Sequence, residues 1–282
     1  MESWVALTQS YYRIQRRYLP NPYHNAEHAA DVAQALHHFF TVGMVGATIN
    51  PRSLCAALLA ALVHDVGHTG FTNNFHIALN DDLAIRYVYR SPLEHMHCAI
   101  AFQAMSSLKT NILESLTRIE QLEIRTLITD MVLATDNSVH ATYLAKLEGL
   151  VCRAADSVGW TPSANADDER LVLQMALHSA DVSNPAKPLQ LCKMWAARIR
   201  DEFYQQGDKE RDLDLPRSIG SDRENPIPLE KMQAGFILGI VRPLFAAFCQ
   251  LPGTKLAHCL EQLNENLHHW QSQIDASNTQ VR

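Results

Sequence analysis

Nine segments of this chain carry the apolar spacing of amphipathic helices, and we find no convincing run with the alternation of a half-buried strand. Only 11 glycines interrupt the 282 residues. Helices that are apolar on one face must bury that face against other helices. The pattern therefore predicts an all-α fold, with helices over residues 31–41, 53–63, 94–105, 120–133, 139–151, 167–179, 189–205, 229–241 and 254–273.

Two polar connectors separate some of these segments. Residues 157–168 have the composition of a domain boundary, whereas residues 206–228 hold three prolines and many charges between two apolar helices. A connection longer than about 15 residues inside a compact domain is commonly a lid or a binding loop. Because the candidate ligands described below lie on both sides of residues 157–168, we interpret residues 1–282 as a single compact multi-helix domain.

Composition narrows the classes of partner and compartment. The net charge of −6 argues against duplex nucleic acid, whose partners usually present a basic face. The longest apolar run, residues 54–63, is half of the roughly 20 residues that a helix needs to cross a membrane. The six cysteines are scattered without a CxxC pair. These features predict a cytoplasmic protein with reduced thiols.

Fourteen histidines are present, and three clusters combine them with aspartate. The first holds His24, His28 and Asp31, which would share one face if this segment is helical. The second, His64-Asp65 with His68, and the third, His178 with Asp181, each end an apolar helix. Imidazole and carboxylate groups at such points are ligands for a hydrolytic divalent metal. A single buried histidine or aspartate is more often a hydrogen-bonded core group, but three such clusters together favour metal binding.

The order of these clusters and of several shorter motifs resembles the catalytic domain of class I cyclic nucleotide phosphodiesterases. The resemblance runs from about residue 12 to the C-terminal helix. The stretches that carry it are Tyr23-His24-Asn25 with His28 and Asp31, His64-Asp65 with His68 and Gly70, Asn73 with Phe75, Leu93-Glu94, residues 131–136, His178 with Asp181, Ser183-Asn184-Pro185, and Gln233 with Gly235-Phe236. The wider HD-type phosphohydrolases share only the histidine and aspartate ligands.

The resemblance implies hydrolysis of cAMP, and of cGMP as well, to the 5′-monophosphate by a hydroxide that bridges two metals. It implies Zn²⁺ held by His28, His64, Asp65 and Asp181. Asp65 would also bridge to a second metal, Mg²⁺ or Mn²⁺. It further implies that His68, Thr135 and Asp136 orient the metal-bound waters.

For proton transfer, the resemblance implies His24 as the general acid that protonates the leaving 3′ oxygen. Glu94 would be the carboxylate that keeps this imidazole charged, because a neighbouring negative charge raises the pKa of an imidazole.

The resemblance also implies a purine pocket. Gln233 would pair with the edge of the base, Phe236 and Ile199 would hold its faces, and Tyr23 and Asn184 would lie beside it. The apolar stripe that contains Ile199 is otherwise ordinary core spacing.

Departures from the family pattern concern the choice between cAMP and cGMP and the part of the family domain that this chain contains. Cys192 stands where cAMP-specific relatives often carry a tyrosine that fixes the glutamine amide, which favours activity on both nucleotides. Gly67 stands where an acidic residue is common. The early helices of the family are expected to be absent or cut short, with regulatory segments outside this chain. Two alternatives are a hydrolase of linear nucleotides and an inactive scaffold. Gln233 with Phe236 argues against the first, and the intact His24, Glu94 and four metal ligands argue against the second.

Overall fold

The computed structural model describes residues 2–45, 47–106 and 111–280, with side chains described between residues 8 and 279. These residues form helices joined by turns and short loops, with no strand among them. The α-helices are α1 (Glu2–Gln15), α2 (Ala26–Thr41), α3 (Pro51–Val63), α4 (Asn73–Leu79), α5 (Asp82–Arg86), α6 (Pro92–Met105), α7 (Arg118–Leu133), α8 (His140–Ala155), α9 (Ala166–Asp181), α10 (Leu189–Asp212), α11 (Leu229–Phe236), α12 (Arg242–Phe248) and α13 (Ala257–Gln280). The prediction of an all-α fold is confirmed.

Every helix predicted from spacing is present, with ends that differ by a few residues. The differences follow the capping groups: Asn50 caps α3 through its side chain and Thr117 forms a capping box with Glu120 at the start of α7. Spacing did not indicate α1, α4, α5 and α12. Helices α4 and α5, with seven and five residues, are too short for a periodic pattern and depend on the caps Thr72 and Asp81.

The core forms where α2, α3, α7 and α9 pack on one another. Helix α3 contributes four fully buried alanines, whose small side chains allow its neighbours to approach closely. Phe39 of α2 meets Phe245 of α12 edge to face, with ring centroids 5.9 Å apart. This packing fixes the relative positions of the helix ends from which the candidate ligands project.

Helix α10 is longer than its spacing predicted and extends to Asp212, so the connector begins after that residue. The reason is the buried carboxylate of Glu210, which accepts hydrogen bonds from the Ser218 backbone at 2.8 Å and from the Ser221 hydroxyl at 2.9 Å. Gln206 donates to Glu210 at 2.7 Å and accepts from the Thr72 backbone at 2.9 Å. Residues 213–228 are therefore tied to α10 and to the start of α4.

Helices α11 and α12 are continuous through a π-helical segment at Ile237–Val241. Within the described residues, Leu229–Phe248 is the one stretch with the length and mean hydropathy of a membrane span, and 44% of its window is buried inside the fold. A core helix of a soluble protein has the same properties, so this stretch is weak evidence for a membrane segment. Residues 237, 241, 244, 245 and 248 all belong to the core.

Gly207 tests how tightly residues 213–228 are attached to α10. A Cβ atom at this position would lie 2.0 Å from the Ser221 carbonyl oxygen, so Gly207→Ala must displace the loop. We expect the free energy of unfolding to fall by about 1–3 kcal/mol, measured by urea denaturation.

Gly149→Ala in α8 is the matched control, because its nearest neighbour would be the flexible Arg153 side chain at 3.7 Å. That change should raise stability by about 0.5–1 kcal/mol, the usual gain when alanine replaces glycine inside a helix. Equal stability of the two variants would contradict the tight contact at Gly207.

Candidate active site

Three helix ends bring the predicted ligands together. Asn25 caps α2 by accepting hydrogen bonds from the Glu27 and His28 backbone amides, which places His28 in the first turn. His64 follows the last residue of α3, and Asp181 is the last residue of α9. Helix ends expose side chains that the helix interior would cover. Polar groups from the ends of three separate helices therefore meet at one point.

Four side chains meet at this point. Asp181 Oδ1 lies 2.9 Å from His28 Nε2 and 3.2 Å from His64 Nε2. Asp65 Oδ2 lies 3.0 Å from His64 Nε2 and 3.5 Å from His28 Nε2. One ligand atom from each of the four residues falls within 4.8 Å of all the others. This group, called the His/Asp cluster below, consists of the four residues expected to hold metal.

The hydrogen bonding of the cluster fits a cation. His64 Nδ1 lies 2.8 Å from the Ala61 carbonyl oxygen, which can only accept, so this nitrogen carries the proton of the neutral ring. The lone pair on Nε2 then faces two carboxylates. Asp65 Oδ2 is buried and accepts no hydrogen bond from the described residues. A divalent ion would satisfy these groups, and imidazole with carboxylate is a suitable donor set.

Electrostatics point in the same direction. Burial alone would lower the pKa of His64, but Asp65 and Asp181 raise it well above its usual range. Burial would raise the pKa of Asp181, and the two imidazoles instead hold it well below its usual range. The cluster therefore stabilises positive charge at its centre, whether that charge is carried by protons or by metal.

His24 lies beside the cluster but outside its ligand set. The prediction that His24 lies on a helical face with His28 is wrong, because Asn25 caps α2 and leaves His24 before the first turn. Its ring packs against His68 with centroids 3.9 Å apart, and lies 5.8 Å from the ring of His28. The imidazole of His24 therefore lies next to the cluster but is not one of its four residues.

The carboxylate that pairs with His24 is Glu202 of α10. Glu202 Oε1 bonds His24 Nδ1, and its Oε2 accepts from the backbone amides of Tyr23 at 2.9 Å and His24 at 3.0 Å. Burial lowers the pKa of the His24 imidazole, but the Glu202 carboxylate, with smaller contributions from Asp65 and Asp181, raises it to about 9. His24 is therefore an imidazolium at neutral pH.

The prediction that Glu94 forms this pair is wrong. Glu94 lies in the first turn of α6, where Asn73 Nδ2 donates to its Oε2 at 2.9 Å. Burial, together with the nearby Asp136, raises the pKa of Glu94 to about 7. A carboxyl group with this pKa is a weak counter-ion, whereas Glu202, whose pKa is lowered by His24 despite burial, remains charged.

Two further histidines extend from His24 into the protein. His68 stacks on His97, with centroids 5.7 Å apart, and accepts a hydrogen bond from the Gly70 amide on Nδ1. Burial and the neighbouring His24 lower the pKa of His68 well below its usual value. His97, which the sequence left without a role, lies with Nε2 3.8 Å from Asp65 Oδ1, and burial lowers its pKa to about 4. Both rings are neutral polar neighbours of the cluster.

Thr135 and Asp136 lie at the end of α7. The Thr135 hydroxyl donates to the Val132 carbonyl at 2.8 Å. Asp136 caps the following 3₁₀ turn through Ser138 and accepts from the Ser91 hydroxyl at 2.7 Å. Gly67 occurs in the sharp turn between His64 and His68 with φ of 79°, a conformation that favours glycine over the acidic residue expected there.

Tyr23 and Asn184 form a fixed polar pair. The Tyr23 hydroxyl donates to Asn184 Oδ1 at 2.5 Å, and Asn184 Nδ2 donates to Asp31 at 3.0 Å. Lys187 pairs with the same Asp31 carboxylate. Tyr23 also meets Trp195 of α10 edge to face at 5.4 Å. This network sets the direction of the Asn184 amide.

The remaining predicted residues lie on two helices in contact, Ile199 on α10 and Gln233 with Phe236 on α11. Gln233 is 7% exposed, yet its side-chain amide makes no hydrogen bond with another described residue. Cys192 is buried beside Trp270, and burial raises the pKa of its thiol. An amide without a protein partner, on a residue that is otherwise largely buried, is available to a ligand.

Glu202 is the functional residue that the sequence analysis missed. It lies seven residues after Trp195, and residues seven apart share a helix face. Gln206 and Glu210 continue this face, and all four are buried. The acidic residues Glu202 and Glu210, on the face of a long helix that also carries Trp195, were the sequence feature that could have indicated this role.

A match to a family model shows which family this protein belongs to. Residues 23–263 match the model described as 3′,5′-cyclic nucleotide phosphodiesterase. This chain belongs to that family. A solved relative is the phosphodiesterase domain of the Salpingoeca rosetta rhodopsin phosphodiesterase. It is 31% identical to this chain with a TM-score of 0.90, and the alignment covers 99% of this chain and 83% of the relative.

Curated relatives are longer than this family member. The chain is 40% identical over 264 residues to the probable 3′,5′-cyclic-AMP phosphodiesterase pde-4 of Caenorhabditis elegans. The aligned residues make up 93% of this chain and 39% of the relative. It is 38% identical over 256 residues to the 3′,5′-cyclic-AMP phosphodiesterase 4C of Mus musculus, with 90% and 37% covered. The chain thus spans less than half the length of these two relatives.

Replacing Glu202 tests its control of the His24 charge. In Glu202→Gln the imidazole loses its counter-ion but keeps its burial, so its pKa should fall from about 9 by about 1–3 pH units. The measurement is an NMR titration of the histidine ring protons, with His24→Gln used to assign the signal.

Glu94→Gln is the matched control, because the same change is made at the carboxylate first predicted to pair with His24. It should leave the His24 titration close to that of the wild type. A larger fall in Glu94→Gln than in Glu202→Gln would restore Glu94 as the partner.

Proposed function

We propose that this chain hydrolyses 3′,5′-cyclic AMP to 5′-AMP, with divalent metal held by the His/Asp cluster. The observation that carries the proposal is the His24 imidazolium, which Glu202 keeps charged beside the cluster. An acid placed next to a metal centre suits the cleavage of a phosphodiester whose leaving oxygen needs a proton. The names of the curated relatives support cAMP as the substrate.

The donor set supports two kinds of ion. His28, His64, Asp65 and Asp181 offer the mixed nitrogen and oxygen ligands that Zn²⁺ accepts. We assign Mg²⁺ or Mn²⁺ to a second position that shares Asp65, because these ions prefer carboxylate and water ligands. Bound divalent ions would neutralise phosphate charge and lower the pKa of the attacking water.

His24 would supply the proton that the reaction requires. A water oxygen would form a bond to phosphorus, the bond from phosphorus to O3′ would break with its electron pair left on O3′, and the proton on His24 Nε2 would pass to O3′. The proton lost by the attacking water would leave to solvent, and solvent would return a proton to His24 before the next cycle. Nδ1 is held by Glu202 and cannot turn towards substrate. Two backbone amides fix the other oxygen of Glu202, so the ring is oriented before substrate binds.

Polar residues around the cluster would position water. Glu94, His68, Thr135 and Asp136 are each nine-tenths or more buried. Their hydrogen bonds to Asn73, Gly70, Val132 and Ser91 fix their orientations. We assign them to holding water molecules near the metals, a role that needs fixed polar groups rather than charge.

The purine would lie against α10 and α11. Gln233 has a buried amide without a partner, and Phe236 and Ile199 would contact the faces of the base. Tyr23 and Asn184 would border the pocket. The second N–H of the Asn184 amide, which does not donate to Asp31, would be available there. Since the orientation of Asn184 is set by Tyr23 and Asp31, Gln233 is the amide that can turn to suit the base.

Activity on cGMP is a second proposal, and it rests on Cys192. A thiol is a weak hydrogen-bonding group, and this one lies beside Trp270. No described residue bonds the Gln233 amide and so fixes its direction. An amide that can rotate would suit either purine.

The proposed setting is the cytoplasm, with a small-molecule substrate. All six cysteines are free thiols, as expected in a reducing compartment. The net charge of −6 gives no support for nucleic acid as a partner. We propose that residues 1–282 act as one catalytic domain whose regulatory segments lie outside this chain.

The proposed reaction is tested by incubating the protein with cAMP, cGMP, AMP and dGTP, with and without added metal. We expect metal-dependent hydrolysis of the cyclic nucleotides alone. Asp181→Ala should lose bound metal and nearly all turnover, because it removes a charge that contacts both histidines. The exposed Asp167→Ala in the same helix is the control and should retain both. Hydrolysis of dGTP without cAMP turnover would indicate an enzyme of linear nucleotides.

The pocket is tested by Gln233→Ala. Loss of a hydrogen bond in a desolvated pocket costs about 1–3 kcal/mol, so KM for cAMP should rise about ten- to a hundredfold. The exposed Lys231→Ala in the same helix should leave KM unchanged. In the wild type, kcat/KM for cAMP and cGMP should agree within about tenfold, a difference of about 1.4 kcal/mol. A ratio above a thousand would contradict dual specificity.

A further inference from the structure

A second group of metal-binding side chains lies where the end of α2 meets the start of α13. His38 Nε2 lies 2.8 Å from His258 Nε2, and the Cys259 sulfur lies 3.3 Å from the same His258 nitrogen. The three candidate ligand atoms are within 4.8 Å of one another. His38 and His258 are 220 positions apart in the chain, so this contact is a product of tertiary packing alone.

The backbone around the group is held in place. The Lys255 amide donates to the Gly43 carbonyl at 2.8 Å, and Leu256 packs so closely on Gly43 that a Cβ there would lie 2.6 Å from its methyl group. The Val42 and Gly43 amides both donate to the His38 carbonyl. The helices that carry the ligands are therefore fixed to each other within a few residues of the three side chains.

The three side chains converge in a way that a simple hydrogen bond does not require. One proton suffices between two imidazole nitrogens, yet the Cys259 sulfur also lies 3.3 Å from the same His258 nitrogen. A tetrahedral zinc ion, with bonds of about 2.05 Å to nitrogen and 2.3 Å to sulfur, separates its ligands by about 3.4 and 3.6 Å. The distances of 2.8 and 3.3 Å are shorter by a few tenths of an ångström. The exposed ring of His258 can make this adjustment.

We propose that His38, His258 and Cys259 form a metal site for a zinc-like transition ion, separate from the His/Asp cluster. Two imidazoles and a thiolate select Zn²⁺ or Co²⁺ over Mg²⁺ and Ca²⁺, which prefer oxygen. The thiol loses its proton to solvent when the metal binds. Water takes the fourth position on the solvent side.

The ion would join two elements that border the active site. Helix α2 carries His28 and Asp31, and α13 carries Asn266, which donates to the Pro185 and Lys187 carbonyls beside Asn184, each at 2.7 Å. Because metal binding to the folded state alone adds to stability, Zn²⁺ should raise the unfolding temperature of the protein.

Cobalt titration of the metal-loaded enzyme tests this site. A Co²⁺–thiolate bond gives a near-ultraviolet charge-transfer band, and the His/Asp cluster contains no cysteine, so the band does not arise from that cluster. We expect the band to saturate at one Co²⁺ per chain and to be lost in Cys259→Ser, His258→Ala and His38→Ala. Added Zn²⁺ should displace it.

Cys249→Ser is the matched control. Burial, with a smaller contribution from the Cys249 thiol, raises the pKa of Cys259 to about 11, so Cys249 lies near the group without being part of it. The Cys249→Ser variant should keep the band, and Cys259→Ser should keep the hydrolytic activity of the wild type. His258→Ala changes an exposed residue and so tests the site without disturbing the core. Absence of the band at tenfold excess Co²⁺, or its persistence in Cys259→Ser, would overturn the proposal.

Discussion

The structure depends on the cost of placing carboxylates and imidazole lone pairs together in a protein interior. Asp65 and Asp181 face His28 and His64 at distances of 2.9–3.5 Å, and both histidines are fully buried. Isolated buried charges are strongly unfavourable, so the arrangement requires compensating positive charge. The ends of three helices lie here and bring candidate ligands from distant parts of the chain to one point. A cation held by these ligands would supply the positive charge.

The second electrostatic element is the long helix α10. It carries Trp195 against Tyr23 and His28, Glu202 against His24, and Glu210 under residues 213–228. One inward face therefore packs against the cluster, keeps the proposed acid charged and attaches the connector. A helix interior positions side chains more rigidly than a loop, which suits an imidazole that must face substrate in one orientation.

Sequence patterns were sufficient where chemistry is local. Helical spacing predicted nine segments, and His64, Asp65 and Asp181 were recognised as candidate ligands from clusters that end apolar helices. The partner of His24 was not local: Glu94 and Glu202 are both acids near a helical segment, and only their positions in space distinguish them. The connector differed for a similar reason, since the polar residues 206–212 read as loop but are helical through the burial of Gln206 and Glu210.

The sequence by itself determined the all-helical class through helical periodicity and the family through its ordered motifs, because both are properties of short segments. The four residues of the His/Asp cluster were named from that resemblance. Tertiary structure decided which carboxylate meets His24, which residues orient Asn184, and that His38 lies against His258 and Cys259. These contacts join residues 178, 161 and 220 positions apart. No local pattern specifies such pairs, because their geometry arises only when the helices pack around a common core.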